Sequence, residues 1–293
     1  MGFLASVHRT EASSQAPSSP RTEQNHTNAI QYARSYRFSR KEETDRRATK
    51  SRVVAFCAIC EQTVPNWLPH PNIGPGSPFM MRVGAVGSDV KNYLCPRCQC
   101  NDRDRHLWLY MLRSGVLSQV GRGSILHIAP ERHIETKLAA LAPARYVLGD
   151  LFPRQAHHQK IDCEDLPFEN ESFDLIISNH VLEHVSRPEA ALAEFFRCLK
   201  PDGYLIAQTP YVPALKRTFE LDGPSTPEDA EFFYGQDDHV RLFGRDIVDY
   251  FHQVGFAGSL FPHEQVLPDV DATAFGCNRL EPFFLFTKPL TSE

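Results

Sequence analysis

"LPFENESFDLIISNHVLEHVSRPEAALAEFFRCLKPDGYLIAQTP", residues 166–210, decides the fold. Within it "SFDLIISN" is short and almost continuously apolar, the pattern of a strand buried on both faces in the middle of a parallel sheet. "SRPEAALAEFFRCLKPDG" reads as a helix with Leu192, Phe195, Phe196 and Leu199 along one face. Ser186 and Glu189 have capping-box spacing, Pro188 lies in the first turn, and Lys200 falls in the last turn before Pro201-Asp202-Gly203 stops it. "YLIAQTP" then supplies a second strand, so the stretch is a strand–helix–strand unit.

The alternation extends upstream. "SILHIA" is a short buried strand, and "ERHIETKLAALAP" is a helix with Ile134, Leu138 and Leu141 on one face. "RYVLGD" is a strand ending on Asp150, and "QKIDCED" holds a shorter one. Alternation of this kind predicts an α/β domain over residues 123–293, a mostly parallel sheet with helices on both faces and ligands at the carboxyl ends of the strands. A stretch rich in Pro, acids and aromatics near 211–240 is expected to form a lid-like insertion.

Four of the eight cysteines form two pairs, "CAIC" (Cys57, Cys60) and "CPRC" (Cys95, Cys98). Each C-x-x-C turn lets two thiolates converge on one ion, and two such turns close a tetrahedral zinc site with no position left for water. Cys100 is near enough to substitute as a ligand. The absence of a secretory signal and the scatter of Cys163, Cys198 and Cys277 disfavour a disulfide framework. The Pro- and Gly-rich segment between the pairs buries little by itself, so Zn2+ is expected as a structural staple for a module spanning 53–122. "NDRDRHLWLYMLRSGVL", apolar over much of its surface, is the helix expected to link this module to the next domain.

Residues 1–52 are Ser/Pro-rich and hold ten Lys/Arg against five acids. This +5 tail, expected to be disordered, leaves the remainder of the chain at −10 from a total of −5. Such a body repels an extended phosphate backbone, so nucleic acid is a disfavoured partner. No apolar run reaches the roughly 20 residues of a membrane helix, and the chain is expected to be soluble and cytoplasmic.

Taken together, "LPF" (166–168), "FD" (173–174), "VLEH" (181–184) and "LKPDG" (199–203), in this order, resemble the central stretch of class I S-adenosylmethionine-dependent methyltransferases. The resemblance covers roughly 124–289. "CPRCQCNDRDRHLWLY", "LHIAPE" and "DHVRLFG" resemble a bacterial-type subgroup with an N-terminal cysteine-rich zinc module. The resemblance implies a Rossmann-like, mostly parallel seven-stranded sheet preceded by that module, and S-adenosylmethionine as cofactor.

It also implies residue roles. Asp150 would accept both ribose hydroxyls, Asp162 the adenine amino group, and Cys163 would donate its main-chain N–H to the ring. Asn179 lies where the methionine end of the cofactor should sit. At the first strand the family pattern has an acid followed by glycines, whereas here His127 replaces the acid, Ala129 the first glycine and Glu131 the second. Glu131 is expected to pair with the cofactor's ammonium in place of the missing acid. Candidate bases for an oxygen or nitrogen acceptor are His180, nearest the reaction zone, His184, which could equally be a packed or capping residue, and His239 after the insertion. The expected substrate is a small molecule or peptide, such as a sugar or natural-product intermediate. An RNA methyltransferase and a catalytically dead binding protein are the alternatives.

Overall fold

The computed structural model describes residues 55–72, 76–223 and 226–290; the basic tail expected over 1–52 lies outside them. The cysteine-rich region opens with a two-stranded antiparallel hairpin, β1 (Ala55–Cys57) and β2 (Gln62–Val64). A short helix α1 (Pro78–Val83) follows, then α2 (Asp102–Ser114). The alternating region runs β3 (Ser124–Ile128), α3 (Arg132–Ala140), β4 (Arg145–Asp150), β5 (Gln159–Lys160), β6 (Phe173–Ser178), α4 (Pro188–Cys198) and β7 (Leu199–Ile206). After it come α5 (Pro227–Tyr234), α6 (Ile247–Val254), β8 (Ala257–Phe261), two single-turn helices α7 (His263–Val266) and α8 (Ala272–Phe275), and β9 (Phe283–Thr287).

Seven strands form one sheet in the order β5-β4-β3-β6-β7-β9-β8, as expected for the Rossmann-like fold. Pairing is parallel from β5 through β7, while β9 runs antiparallel to both β7 and β8. The period-2 alternation of side chains divides the core. Leu175 and Ile177 of β6 face one apolar layer, with α2 and the cysteine region, and Ile176 faces the other, with α4 and α6. The cysteine-rich region is therefore one cover of the sheet rather than an appendage.

The linking helix explains how. Every residue from Asp104 to Leu112 is buried, and Asn101 caps the helix reciprocally with Asp104. Arg105, fully buried, donates to the carbonyls of Asn92, Tyr93, Cys100, Phe275 and Gly276, and its guanidinium lies 4.0 Å above the Trp67 ring. A charged group survives there because each donor finds an acceptor. It ties the cysteine loops to the far end of the chain.

Two local expectations fail. The capping box of Ser186 and Glu189 does not form: Arg187 is the N-cap without a side-chain cap bond. Instead Glu164 accepts from the Arg187 N–H, and the Ser186 carbonyl accepts from Arg241, so long-range contacts set the helix entry. The helix also ends at Cys198 rather than running through Lys200, because β7 begins at once and Lys200 pairs with Asp174 of β6 at 2.8 Å. Gly203 is required beyond it, since a Cβ there would sit 2.8 Å from the Lys200 carbonyl oxygen.

Candidate active site

The carboxyl ends of β3, β4 and β6 bring the expected cofactor residues to one edge. β3 runs out into Ala129, whose φ of +48° is the left-handed conformation that glycine usually supplies. The turn is thus kept without its glycine. Ala129 donates its N–H to the Gly149 carbonyl at 2.7 Å, which holds the turn against β4. Glu131 is the N-cap residue of α3.

His127 is fully buried, and its Nε2 lies 2.7 Å from Glu131 Oε2 while its Nδ1 lies 2.9 Å from the Tyr146 hydroxyl. The other Glu131 oxygen accepts from Asn179 Nδ2 at 3.2 Å. Burial pushes the Glu131 carboxyl up, but the hydrogen bonds from His127 and Asn179 more than offset this and hold it below the ordinary value. Glu131 is thus a partly exposed carboxylate, 23% accessible at its side chain, positioned by His127 and Asn179.

Asp150 closes β4, with Oδ1 accepting the Phe152 N–H at 2.7 Å. Leu151 and Phe152 beside it are apolar yet 45% and 75% exposed. Asp162 is exposed, its Oδ1 accepting the Glu164 N–H, and Cys163 is buried behind it. Neither acid is committed to an ion pair within the described residues.

His180 follows β6 with φ +53°, a second non-glycine residue in the left-handed region at this edge. Its N–H donates to the Gln208 carbonyl at 2.6 Å, and Asn179 Oδ1 accepts the Gln208 N–H, so β7 fixes the strained turn. The ring lies between two buried carboxylates: Nδ1 is 3.4 Å from Glu183 Oε1 and Nε2 is 3.8 Å from Glu281 Oε1. Burial pushes Glu183 up, yet the neighbouring rings of His180, His239 and His184 bring it down to about 2. Glu281 goes the other way, raised chiefly by burial despite His180 and Arg103.

A cleft of about 980 Å³ opens beside His180. One wall comes from the cysteine-rich region, including His70, Met80, Val86, Tyr93 and Arg103; the other comes from the insertion, including Phe232, Gln236 and His239. The two walls share an apolar cluster in which Phe79, Met80 and Val83 pack against Tyr234 and Leu242. Bridges from Val86 to Tyr211 and from Tyr211 to Phe243 stitch them together. Arg103 lines the cleft and forms no hydrogen bond or ion pair with any described residue.

Sequence reasoning missed Glu281, Glu183 and the whole 70–93 wall. Glu183 stood inside "VLEH" and carried a signal; Glu281, over a hundred residues from His180, carried none.

The cysteine loops bring five thiols together. Cys57 Sγ is 3.8 Å from Cys98 and 3.4 Å from Cys100, and Cys60 is 3.9 Å from Cys95. Zn–S bonds of about 2.3 Å imply thiolate separations of about 3.8 Å across a tetrahedron, so the cluster fits the ion. Cys57, Cys95, Cys98 and Cys100 are the four that lie within 4.8 Å of one another, whereas the sequence pairs pointed to Cys60 as the fourth. Gln99 at φ +64° turns the chain back so that Cys100 reaches inward.

Residues 121–207 match the family model of the methyltransferase domain. The chain is 38% identical over 63 residues to a demethylmenaquinone methyltransferase of Clavibacter sepedonicus, covering 20% of this chain and 26% of that protein. It is 31% identical over 129 residues to a malonyl-acyl-carrier-protein O-methyltransferase of Laribacter hongkongensis, covering 42% and 39% respectively. The chain thus spans well under half the length of these relatives. A solved S-adenosylmethionine-dependent methyltransferase from Mesorhizobium loti aligns with 62% of this chain and 96% of its own, at 17% identity and a TM-score of 0.43. Residues 121–207 thus match a methyltransferase domain within the seven-stranded, mostly parallel sheet. Among the described residues no helix is long and apolar enough to cross a membrane.

Proposed function

We propose that this chain transfers a methyl group from S-adenosylmethionine to an oxygen or nitrogen atom of a small molecule or peptide held in the cleft beside His180. The observation that carries the reading is the run of Asp150, Glu131, Asn179 and His180 along one sheet edge, with the cleft opening at its His180 end.

The cofactor, when bound, supplies a methyl group on a sulfonium, and displacement there is a single step that depends on alignment. Asp150 offers two acceptor oxygens to the ribose diol, and the exposed Leu151 and Phe152 offer apolar surface to the adenine. Asp162 and the Cys163 N–H complete the adenine edge. Glu131, kept anionic by His127 and Asn179, takes the ammonium. Arg103, the unpaired cation of the cleft wall, takes the carboxylate of the methionine end.

His180 is the base, its ring oriented by Glu183 and Glu281, and it receives the proton that the acceptor gives up as its lone pair attacks the methyl carbon. The cysteines hold a structural zinc ion that fixes loops whose neighbours form one wall of the cleft. Thiols kept for a metal suit a reducing compartment, which supports a cytoplasmic location. The −10 charge of residues 53–293 favours a compact acceptor over an RNA.

The test is transfer of a labelled methyl group to a panel of small hydroxy and amino compounds and short peptides. With an accepted compound, His180→Ala should lose turnover by about a hundredfold or more while cofactor affinity stays within about threefold. Equal turnover by the variant would remove His180 as base, and cofactor binding without transfer to any compound would favour a binding protein.

A further inference from the structure

Glu183, His184 and His239 form a second group whose ligand atoms lie within 4.8 Å of one another, far in sequence from the cysteine cluster. The side chains are not free to turn away. His239, 3% exposed, places Nδ1 3.0 Å from the Tyr234 carbonyl oxygen, and a ring nitrogen facing a carbonyl carries the proton. Its Nε2 is then a lone pair, and that atom is buried with no hydrogen-bond partner among the described residues. His184 repeats the arrangement, with Nδ1 3.2 Å from the Asp238 carbonyl oxygen and 3.4 Å from the Asp238 carboxylate. The two rings meet edge to face at 4.6 Å.

Glu183, 1% exposed, commits Oε2 to the Thr209 hydroxyl at 2.8 Å. Its Oε1 is also buried and unpartnered by hydrogen-bond geometry, with His180 Nδ1 at 3.4 Å as its nearest polar neighbour. Two imidazole nitrogens and a carboxylate oxygen therefore converge, with Glu183 and His239 buried and His184 partly exposed. Such a concentration of acceptors is costly unless a cation or a donor occupies the centre. Carbonyl-held Nδ1–H groups that leave Nε2 free are the usual support of metal-ligating histidines.

We propose that Glu183, His184 and His239 bind a divalent ion of the zinc class beside the cleft, distinct from the cysteine site. Two imidazoles and one carboxylate are a ligand set of catalytic zinc centres, in which a fourth position stays open. His239 lines the cleft, so that position is within reach of an acceptor there. Resting on the methyltransferase reading, this deepens the substrate class to an oxygen acceptor, since a bound hydroxyl is acidified by such an ion and is then the better nucleophile.

The experiment is reconstitution of metal-stripped, folded protein with Co2+, followed by absorption and by metal analysis per chain. Wild type should take up thiolate-bound cobalt, with intense near-ultraviolet charge transfer, and a further equivalent showing only weak visible bands. His239→Ala and the more exposed His184→Ala should each lose that further equivalent while keeping the thiolate absorption, which reports that the chain is still folded. Uptake confined to the thiolate site in wild type, or a further equivalent that survives both substitutions, would overturn the inference. Titration of the same samples with S-adenosylmethionine separates the two readings: cofactor binding without a second ion defeats the metal site alone, and its loss defeats the methyltransferase reading.

Discussion

The two halves of the proposed site are built differently. The cofactor edge is made by consecutive strand ends, from Ala129 after β3 to His180 after β6, in chain order. The acceptor cleft is assembled from distant pieces, with residues near 70–103 facing residues 228–239 across it and Glu281 behind His180. A regular sheet places the first half by strand pairing, with local side-chain bonds from His127 and Asn179 setting Glu131. The second depends on thiols, a buried arginine and an apolar cluster to hold loops in place. The cleft should therefore be the fragile half and the cofactor edge the robust one.

The largest expected effect breaks that contrast from the cleft side. Stripping the cysteine metal, or Cys57→Ala, should lower the melting temperature by about 10 °C or more, read by calorimetry, because a structural ion contributes several kcal/mol to a domain of this size. Turnover should fall with it. An unchanged melting temperature would mean the loops hold themselves.

On the cofactor side, Asp150→Ala removes acceptors for two hydroxyls and should weaken S-adenosylmethionine by about a hundredfold, taking about 1.5 kcal/mol for each charge-assisted bond. The melting temperature without cofactor should barely move, since the carboxylate holds only the Phe152 N–H. Equal losses of affinity and stability would show that Asp150 is a turn residue instead.

Glu281→Gln tests the link between the halves. Burial raises the Glu281 carboxyl above its ordinary value, so the folded state binds a proton more readily than the unfolded chain. Its contribution to stability is then present below the ordinary carboxylate range and is lost as pH rises toward the raised value. The variant should melt at or near the wild-type temperature at pH 4 and above it at pH 8, while turnover drops because His180 loses one of its flanking carboxylates. A gap that narrows with rising pH would reverse the sign.

The smallest effect belongs to Ala129→Gly. It relieves a left-handed alanine at the entropic cost of glycine, opposing terms of about 1 kcal/mol each, so stability and cofactor affinity should both change little. A tenfold loss of affinity would mean the alanine methyl touches the cofactor.

The same contrast sets what was legible in the sequence. Strands such as "SFDLIISN" and the acid closing β4 could be read because hydrophobic period and strand ends are local. The fit of Cys100 into the thiol cluster turns on a left-handed Gln99, which spacing does not encode. The failed capping box at Ser186 has the same origin, since Glu164 and Arg241 reach that turn from elsewhere in the chain. Glu281 and the 70–93 wall reach His180 only through tertiary packing, and no periodicity announces them. His184 and His239 were visible singly as histidines, yet only the fold shows that both turn Nδ1 to a carbonyl.

The central claim is that a glycine-free turn, held left-handed at Ala129 and charged at Glu131, still receives the cofactor. Calorimetric titration of zinc-loaded protein with S-adenosylmethionine and with its demethylated product tests it directly, with Glu131→Gln alongside. The account predicts micromolar binding of both ligands by wild type, and a loss of about tenfold for S-adenosylmethionine in the variant as the ammonium loses its carboxylate. Folded wild-type protein that binds neither ligand would contradict it.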